Sequence, residues 1–152
     1  MEARGLRDQI VLATKYTTDF KRGKGGQHSC FVGNSVKTMH TSITASLKKL
    51  RTDYVDILYV HWWDYTTSVK EVMDGLHTLV TQGKVLYLGI SDTPAWIVAQ
   101  ANMYAEMAGK TPFAIYQGRW SVMVRDLERD ILPMCISQGI SSPVLPELQL
   151  WS

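Results

Sequence analysis

Polar residues stand where four apolar runs end. "QIVLATK" (9–15) closes on Lys15, and "VDILYVHW" (55–62) runs into His61. "VLYLGIS" (85–91) delivers Ser91 with Asp92 directly after it, and "FAIYQGRW" (113–120) carries Gln117. A buried strand ordinarily gives way to small turn residues. The imidazole beside Trp62 and Trp63 in "YVHWWD" (59–64) therefore asks for a role. Side chains alternate across a strand, so Val11, Ala13 and Lys15 share a face, as do Ile57, Tyr59 and His61. Gly89 likewise goes with Ser91, and Ile115 with Gln117. In parallel α/β sheets and barrels, ligands gather at the carboxyl ends of the strands. Four neighbouring strands would bring these groups to one reaction pocket, with His61 at its mouth.

Each residue alone has a plainer reading. A lysine after a strand is often a solvated loop residue, and a histidine among tryptophans can be a satisfied, half-buried imidazole. In "SDTPAW", Asp92 or Thr93 can cap a helix N-terminus, a role compatible with ligand binding. Gln117 by itself says little. What favours a site is the recurrence of polar groups at equivalent ends of consecutive strands.

The elements that would position them alternate. In "NSVKTMHTSITASLKKL", Val36, Met39, Ile43, Leu47 and Leu50 fall on one helical stripe. In "SVKEVMDGLHTLVTQG", Val69, Val72, Met73, Leu76 and Val80 do the same, and Gly83 is placed to end the helix. "TPAWIVAQANMYAEMAG" predicts a third helix with Pro94 near its first turn, and "DLERDILPMCISQG" a fourth, interrupted or late-starting around Pro133. Four β–α units in succession predict parallel strands joined by helical crossovers, an α/β fold. The tail "ISSPVLPELQLWS" breaks that rhythm where a fifth strand is due.

Bulk properties exclude several classes. The 152 residues are 45% hydrophobic and 20% charged, as in an ordinary globular domain. A net charge of +2 is too small to argue for nucleic acid. No run approaches the ~20 apolar residues of a membrane span, and the charged N-terminus lacks a signal-peptide core. Cys30 and Cys135 suggest neither a disulfide framework nor a metal cluster, and a cytoplasmic location is expected. "GKGGQHSC" lacks the ending of a P-loop and reads as a surface loop. His28, His40 and His77 read as surface or helix residues, Arg125–Glu128 as a helix-start ion pair, and Met73, Met103 and Met107 as packing.

"IVLATK", "LRTDYVDILYVHWWD", "GKVLYLGISDTPAW" and "YQGRWSV" together resemble the aldo-keto reductase superfamily. Their wording is similar to its fungal aryl-alcohol dehydrogenase and norsolorinic acid reductase branch. The likeness runs from about Leu6 to Gly139, in order and at plausible spacing. It implies a (β/α)₈ TIM barrel using NADP(H) to interconvert carbonyls and alcohols, with an aryl alcohol or aldehyde as small-molecule substrate. Carried over by position, Lys15 matches the lysine that lowers the catalytic tyrosine's pKa, and His61 the histidine that orients the substrate carbonyl. Ser91, Asp92 and Gln117 match the nicotinamide carboxamide site. The family commonly has Asn where Asp92 stands, and an acid cannot donate as an amide does. Trp62 and Trp63 would wall the substrate pocket. The chemistry suits these types: hydride arriving at a carbonyl carbon leaves charge on oxygen, which needs a proton donor and a polarising hydrogen bond.

The resemblance places the family's tyrosine and its partner aspartate upstream of the strand ending in Lys15, and later cofactor-binding segments beyond Gly139. None of the seven tyrosines takes that tyrosine's place; Tyr16 would point to the opposite face. The expected organisation is a partial barrel domain over 1–139, about half a barrel of four strands and four helices, and a divergent tail over 140–152. A truncated chain of this kind would have impaired turnover. Its open strand edges would favour self-association. The alternative is a non-catalytic half-barrel fragment, either an interaction module or an inert relic.

Overall fold

Each apolar run becomes a strand and each periodic stripe a helix. The computed structural model describes residues 5–21, 23 and 28–142. Strands β1 (Ala13–Tyr16), β2 (Val55–Val60), β3 (Val85–Ser91) and β4 (Phe113–Gln117) alternate with helices α1 (Val36–Leu50), α2 (Val69–Thr81), α3 (Ala95–Met107) and α4 (Ile131–Gln138). All four strands are parallel and lie side by side in chain order. Because that order never reverses, right-handed crossovers put every helix on the same face. Consecutive helices accordingly touch, α1 with α2, α2 with α3, and α3 with α4. These are four successive parallel β–α units, as the sequence pattern predicts, and they are consistent with the partial (β/α) barrel that the resemblance implies. Past α4, Ser141 bridges parallel to Ile115: its N–H donates to Ala114 O at 2.9 Å and its carbonyl accepts from Tyr116 N–H at 2.8 Å. A fifth parallel segment thus begins inside the stretch read as tail, and 143–152 lie outside the described residues, as does most of the Gly-rich loop (22 and 24–27).

Local chemistry sets the element ends. Ser35 Oγ accepts from Thr38 N–H at 3.3 Å, and Ser68 Oγ from Glu71 N–H at 3.2 Å, satisfying donors that the first helical turn leaves free. Gly83, at φ +69°, closes α2 as expected. A 3₁₀ turn over Asp126–Glu128 precedes α4, whose third residue is Pro133. A proline there costs no intrahelical bond. Arg125 pairs with Glu128 at 2.9 Å at that turn.

Three expectations change. β1 starts at Ala13, not Gln9, because the Asp56 carboxylate captures Leu12 N–H at 2.8 Å and is itself held by Arg7 at 2.8 Å. Neither Asp92 nor Thr93 caps α3; the N-cap is Pro94, with no side-chain bond. Met73 is buried, but Met103 and Met107 lie on the solvent side of α3 at 61% and 83% exposure, so they do not pack.

Candidate active site

The sheet has one face toward the helices and one open. Register puts Tyr16, Val60, Ile90 and Tyr116 in one helix-side row, and Lys15, Tyr59, Gly89 and Ile115 in the row on the other face. One step further toward the carboxyl ends on that open face, Ser91 pairs with Gln117. His61 follows Tyr59 by two residues and continues the same face. Lys15, His61, Ser91 and Gln117 therefore share one face at matching ends of β1–β4, and Asp92 directly follows Ser91.

The first row is closely fitted. Lys15 Nζ lies 5.5 Å from the Tyr59 ring centroid, and that ring covers Gly89, where a Cβ would overlap it. Only glycine leaves room for the ring there.

His61 is held from two sides. Its N–H reaches Tyr16 O at 3.2 Å, tying the end of β2 to β1. Its Nδ1 lies within hydrogen-bond distance of Thr18 Oγ1, at 3.1 Å, and the Trp62 indole N–H donates to that same oxygen at 3.1 Å. Burial lowers the pKa of the imidazole, the charge of Lys15 lowers it further, and Asp92 opposes them. The net shift is downward, which favours the neutral imidazole. Groups from the ends of β1 and β3 thus act on a ring at the end of β2.

Backbone strain collects at the same end. Thr17, Tyr65 and Asp92, each shortly after β1, β2 or β3, have φ of +100°, +58° and +41°. A β-branched residue at positive φ is unusual, and such positions cost about 1–3 kcal/mol unless their surroundings fix them. Asn34 and Asp64 do the fixing at the first two. Asn34 Nδ2 donates to Thr17 Oγ1 and to Trp62 O, both at 3.0 Å. Asn34 N–H donates to Asp64 Oδ2 and Asp64 N–H to Asn34 Oδ1, both at 2.7 Å. Burial pushes the Asp64 carboxyl up, but N–H donors from Asn34, Thr67 and Thr66, with the Thr67 hydroxyl, outweigh it and hold the pKa below the ordinary carboxylate value. The aspartate of "YVHWWD" is a clamp that locks the loop after β2 against the segment before α1. At Asp92 the left-handed backbone suits Asp or Asn, and its N–H donates to Gln117 O at 3.3 Å.

The two tryptophans separate. Trp62 lines a cavity of about 500 Å³ with Thr18, Asp19, Gly23, His28 and Val32. Trp63 is 5% exposed and packs in the hydrophobic core, and it is not among that cavity's walls. Two tyrosines flank the site. Tyr16 lies on the helix side, 1% exposed, with its hydroxyl 3.5 Å from Asn34 O. Burial, then the charges of Asp64 and Glu71, push its pKa far up. Burial also raises Tyr59. Neither is tuned to give up a proton at neutral pH.

Sequence reasoning did not single out Thr18, Asn34, Tyr59 or Asp64 as site-building residues. Strand alternation was a usable signal for Tyr59. The other three are joined by contacts that no local pattern encodes. Among the described residues, no group of three or more His, Cys, Asp or Glu could hold a metal, and no helix is long and apolar enough to cross a membrane.

Parallel β–α units with a polar site at the strands' carboxyl ends define the class, and the sequence comparisons agree. The model of the aldo/keto reductase family matches residues 1–143, and the chain belongs to that family. It is 62% identical over 145 residues to aryl-alcohol dehydrogenase [NADP(+)] of Phanerodontia chrysosporium, covering 93% of this chain and 38% of that protein. It is 57% identical over 141 residues to norsolorinic acid reductase A of Aspergillus parasiticus, covering 92% and 36%. The norsolorinic acid reductase B of Dothistroma septosporum is 54% identical over 141 residues, again covering 92% and 36%. The chain spans less than two fifths of the length of these relatives.

Proposed function

We propose that this chain carries the lysine–histidine side and the carboxamide-binding edge of an NADP(H)-linked oxidoreductase site that interconverts aryl alcohols with aryl aldehydes or ketones. The observation that carries this reading is the shared open face of Lys15, His61, Ser91 and Gln117 at the strands' carboxyl ends. Family membership and the printed name of the Phanerodontia relative support the reaction class and the cofactor.

The donor set fits a nicotinamide. Gln117 offers an amide N–H₂ and C=O, and the Ser91 hydroxyl, one strand away in register, gives or accepts a bond; together they complement a primary carboxamide. Asp92 accepts from an amide N–H and donates nothing when ionised. When bound, NADPH supplies the hydride. His61, neutral, presents an N–H to the substrate oxygen, where charge develops. Lys15 places a cation near the same oxygen and stabilises a phenolate on whatever tyrosine serves as acid. Trp62 gives an aryl ring a flat apolar wall.

NADPH fluorescence, titrated with the purified chain and with Gln117→Ala, tests cofactor binding. Wild type should quench or shift the emission, and the variant should bind about tenfold more weakly, equivalent to ~1.4 kcal/mol. Veratraldehyde-dependent loss of NADPH absorbance then tests turnover, which His61→Ala should lower at least a hundredfold. A wild-type chain that leaves NADPH emission unchanged overturns the reading.

A second reading rests on a different observation. Tyr87 is 58% exposed on the open face, and Ala13 and Gln117 are exposed elsewhere on the same face. This favours an interaction module, a half barrel that offers its inner face and strand edges to another copy. Light scattering after size exclusion should then show a dimer or larger; a monomer sinks it. Action in the cytoplasm is part of the main proposal, and the free thiols of Cys30 and Cys135 support it.

A further inference from the structure

The stretch "YVHWWD" contains a second device besides its imidazole. Trp62 follows His61 directly, yet its indole N–H turns back to the loop after β1 and donates to Thr18 Oγ1 at 3.1 Å. The same oxygen lies 3.1 Å from His61 Nδ1. An indole nitrogen only donates, so one acceptor site of the Thr18 hydroxyl is taken. The hydroxyl keeps a single hydrogen. Nδ1 can then either donate to the second lone pair or accept the hydroxyl hydrogen. With Trp62 already donating into the oxygen, the second arrangement makes a continuous chain from indole N–H through the hydroxyl to Nδ1, in which each bond strengthens the next. A neutral imidazole whose Nδ1 accepts must carry its proton on Nε2.

We propose that Thr18, aligned by Trp62, is a positioning residue that fixes His61 as the Nε2–H tautomer, so that the open site always meets a donor. The inference rests on the reading that His61 faces the substrate oxygen. It adds why the tryptophan adjoins the histidine and why a threonine stands three residues beyond Lys15. The strained Thr17 supports it geometrically: φ of +100° swings the chain so that Thr18 comes to His61, while Asn34 and Gly33 hold Thr17 in place. Burial and the Lys15 charge favour neutral His61, opposed by Asp92, and tautomer choice exists only in that state.

Long-range ¹H–¹⁵N correlation of the ¹⁵N-labelled full chain reads the tautomer directly, with the His61 signals identified by their loss in His61→Gln. Wild type should show Nδ1 as the bare nitrogen and Nε2 as the protonated one, and Thr18→Ser should retain that pattern. Thr18→Val, the same shape without the hydroxyl, should lose it and give a tautomer mixture. Trp62→Phe should shift the populations in the same direction by a smaller amount, which covers the case in which one variant fails to fold. A wild-type His61 protonated at Nδ1, or a Thr18→Val spectrum with unchanged tautomer, overturns the proposal. The readout needs neither cofactor nor turnover. A chain that fails to bind NADPH but shows the tautomer response refutes the proposed reaction and leaves the relay standing.

Discussion

On one side of the sheet, Tyr16, Val60, Ile90 and Tyr116 are no more than 2% exposed; on the other, Tyr87 keeps 58% of its surface and Ala13 and Gln117 are exposed. The strands are the same, so the difference is what lies above them. Helices cover the first face and create a dry, closely packed layer, where each side chain contributes through burial. The open face carries a lysine, a serine and a glutamine in its rows, with a histidine at the end. Its residues are constrained by position and only locally by packing, where Tyr59 covers Gly89 and Ser91 is buried. Most of the stability comes from the helix-side face and the chemistry lies on the other, and substitutions on the two should differ accordingly.

The largest effect should come from Leu88→Ala. Leu88 is fully buried on the helix side, and the substitution should cost about 2–5 kcal/mol in urea unfolding. Gly89→Ala comes next, at roughly 1–3 kcal/mol, because the new Cβ displaces the Tyr59 ring. If it also moves Lys15 off that ring, the Lys15 Nζ signal should shift; an unchanged spectrum would show that the row is looser than the contact implies.

Asp64→Ala should cost about 1–3 kcal/mol at pH 7 by leaving unpaired the Asn34 and Thr67 donors of its half-buried hydrogen bonds. The sign with pH follows from the lowered folded-state pKa. The carboxylate stabilises the fold fully above the ordinary unfolded value, near pH 4, and its contribution is lost as pH falls through the folded value. The urea midpoint should therefore drop less between pH 5 and about pH 2 in Asp64→Ala than in wild type. Equal slopes would mean that the clamp is not ionised in the folded chain.

The smallest effect should be that of Tyr87→Ala, within roughly 0.5 kcal/mol if the open face stays wet. A cost approaching that of Leu88→Ala would break the comparison. It would mean that another surface covers this face in solution.

Much of this architecture is legible in the residues. The stripe Val36–Met39–Ile43 and the seam Val72–Met73–Leu76 place their helices, and two-residue alternation puts Lys15, Tyr59 and Ser91 on one face. Less legible is where elements begin. β1 starts at Ala13 because Asp56, 44 residues away, removes Leu12 N–H from the ladder. The adjacent tryptophans look equivalent in sequence, yet Trp62 lines a cavity and Trp63 enters the core. Their fates diverge at the loop where the Asn34–Asp64 clamp bends the chain. Met103 and Met107 have the apolar character of packing residues, but that character does not reveal whether a neighbouring helix reaches their side of α3.

Sequence by itself determined the order of elements, the parallel sheet and the polar ends of its strands, because periodicity and alternation are local properties of a chain with fixed backbone geometry. Tertiary structure alone decided which face stays open and which threonine meets the imidazole 43 residues away. It also decided how the strained turns are held. Those outcomes depend on hydrogen bonds between distant segments, which form only when the sheet has already brought them together.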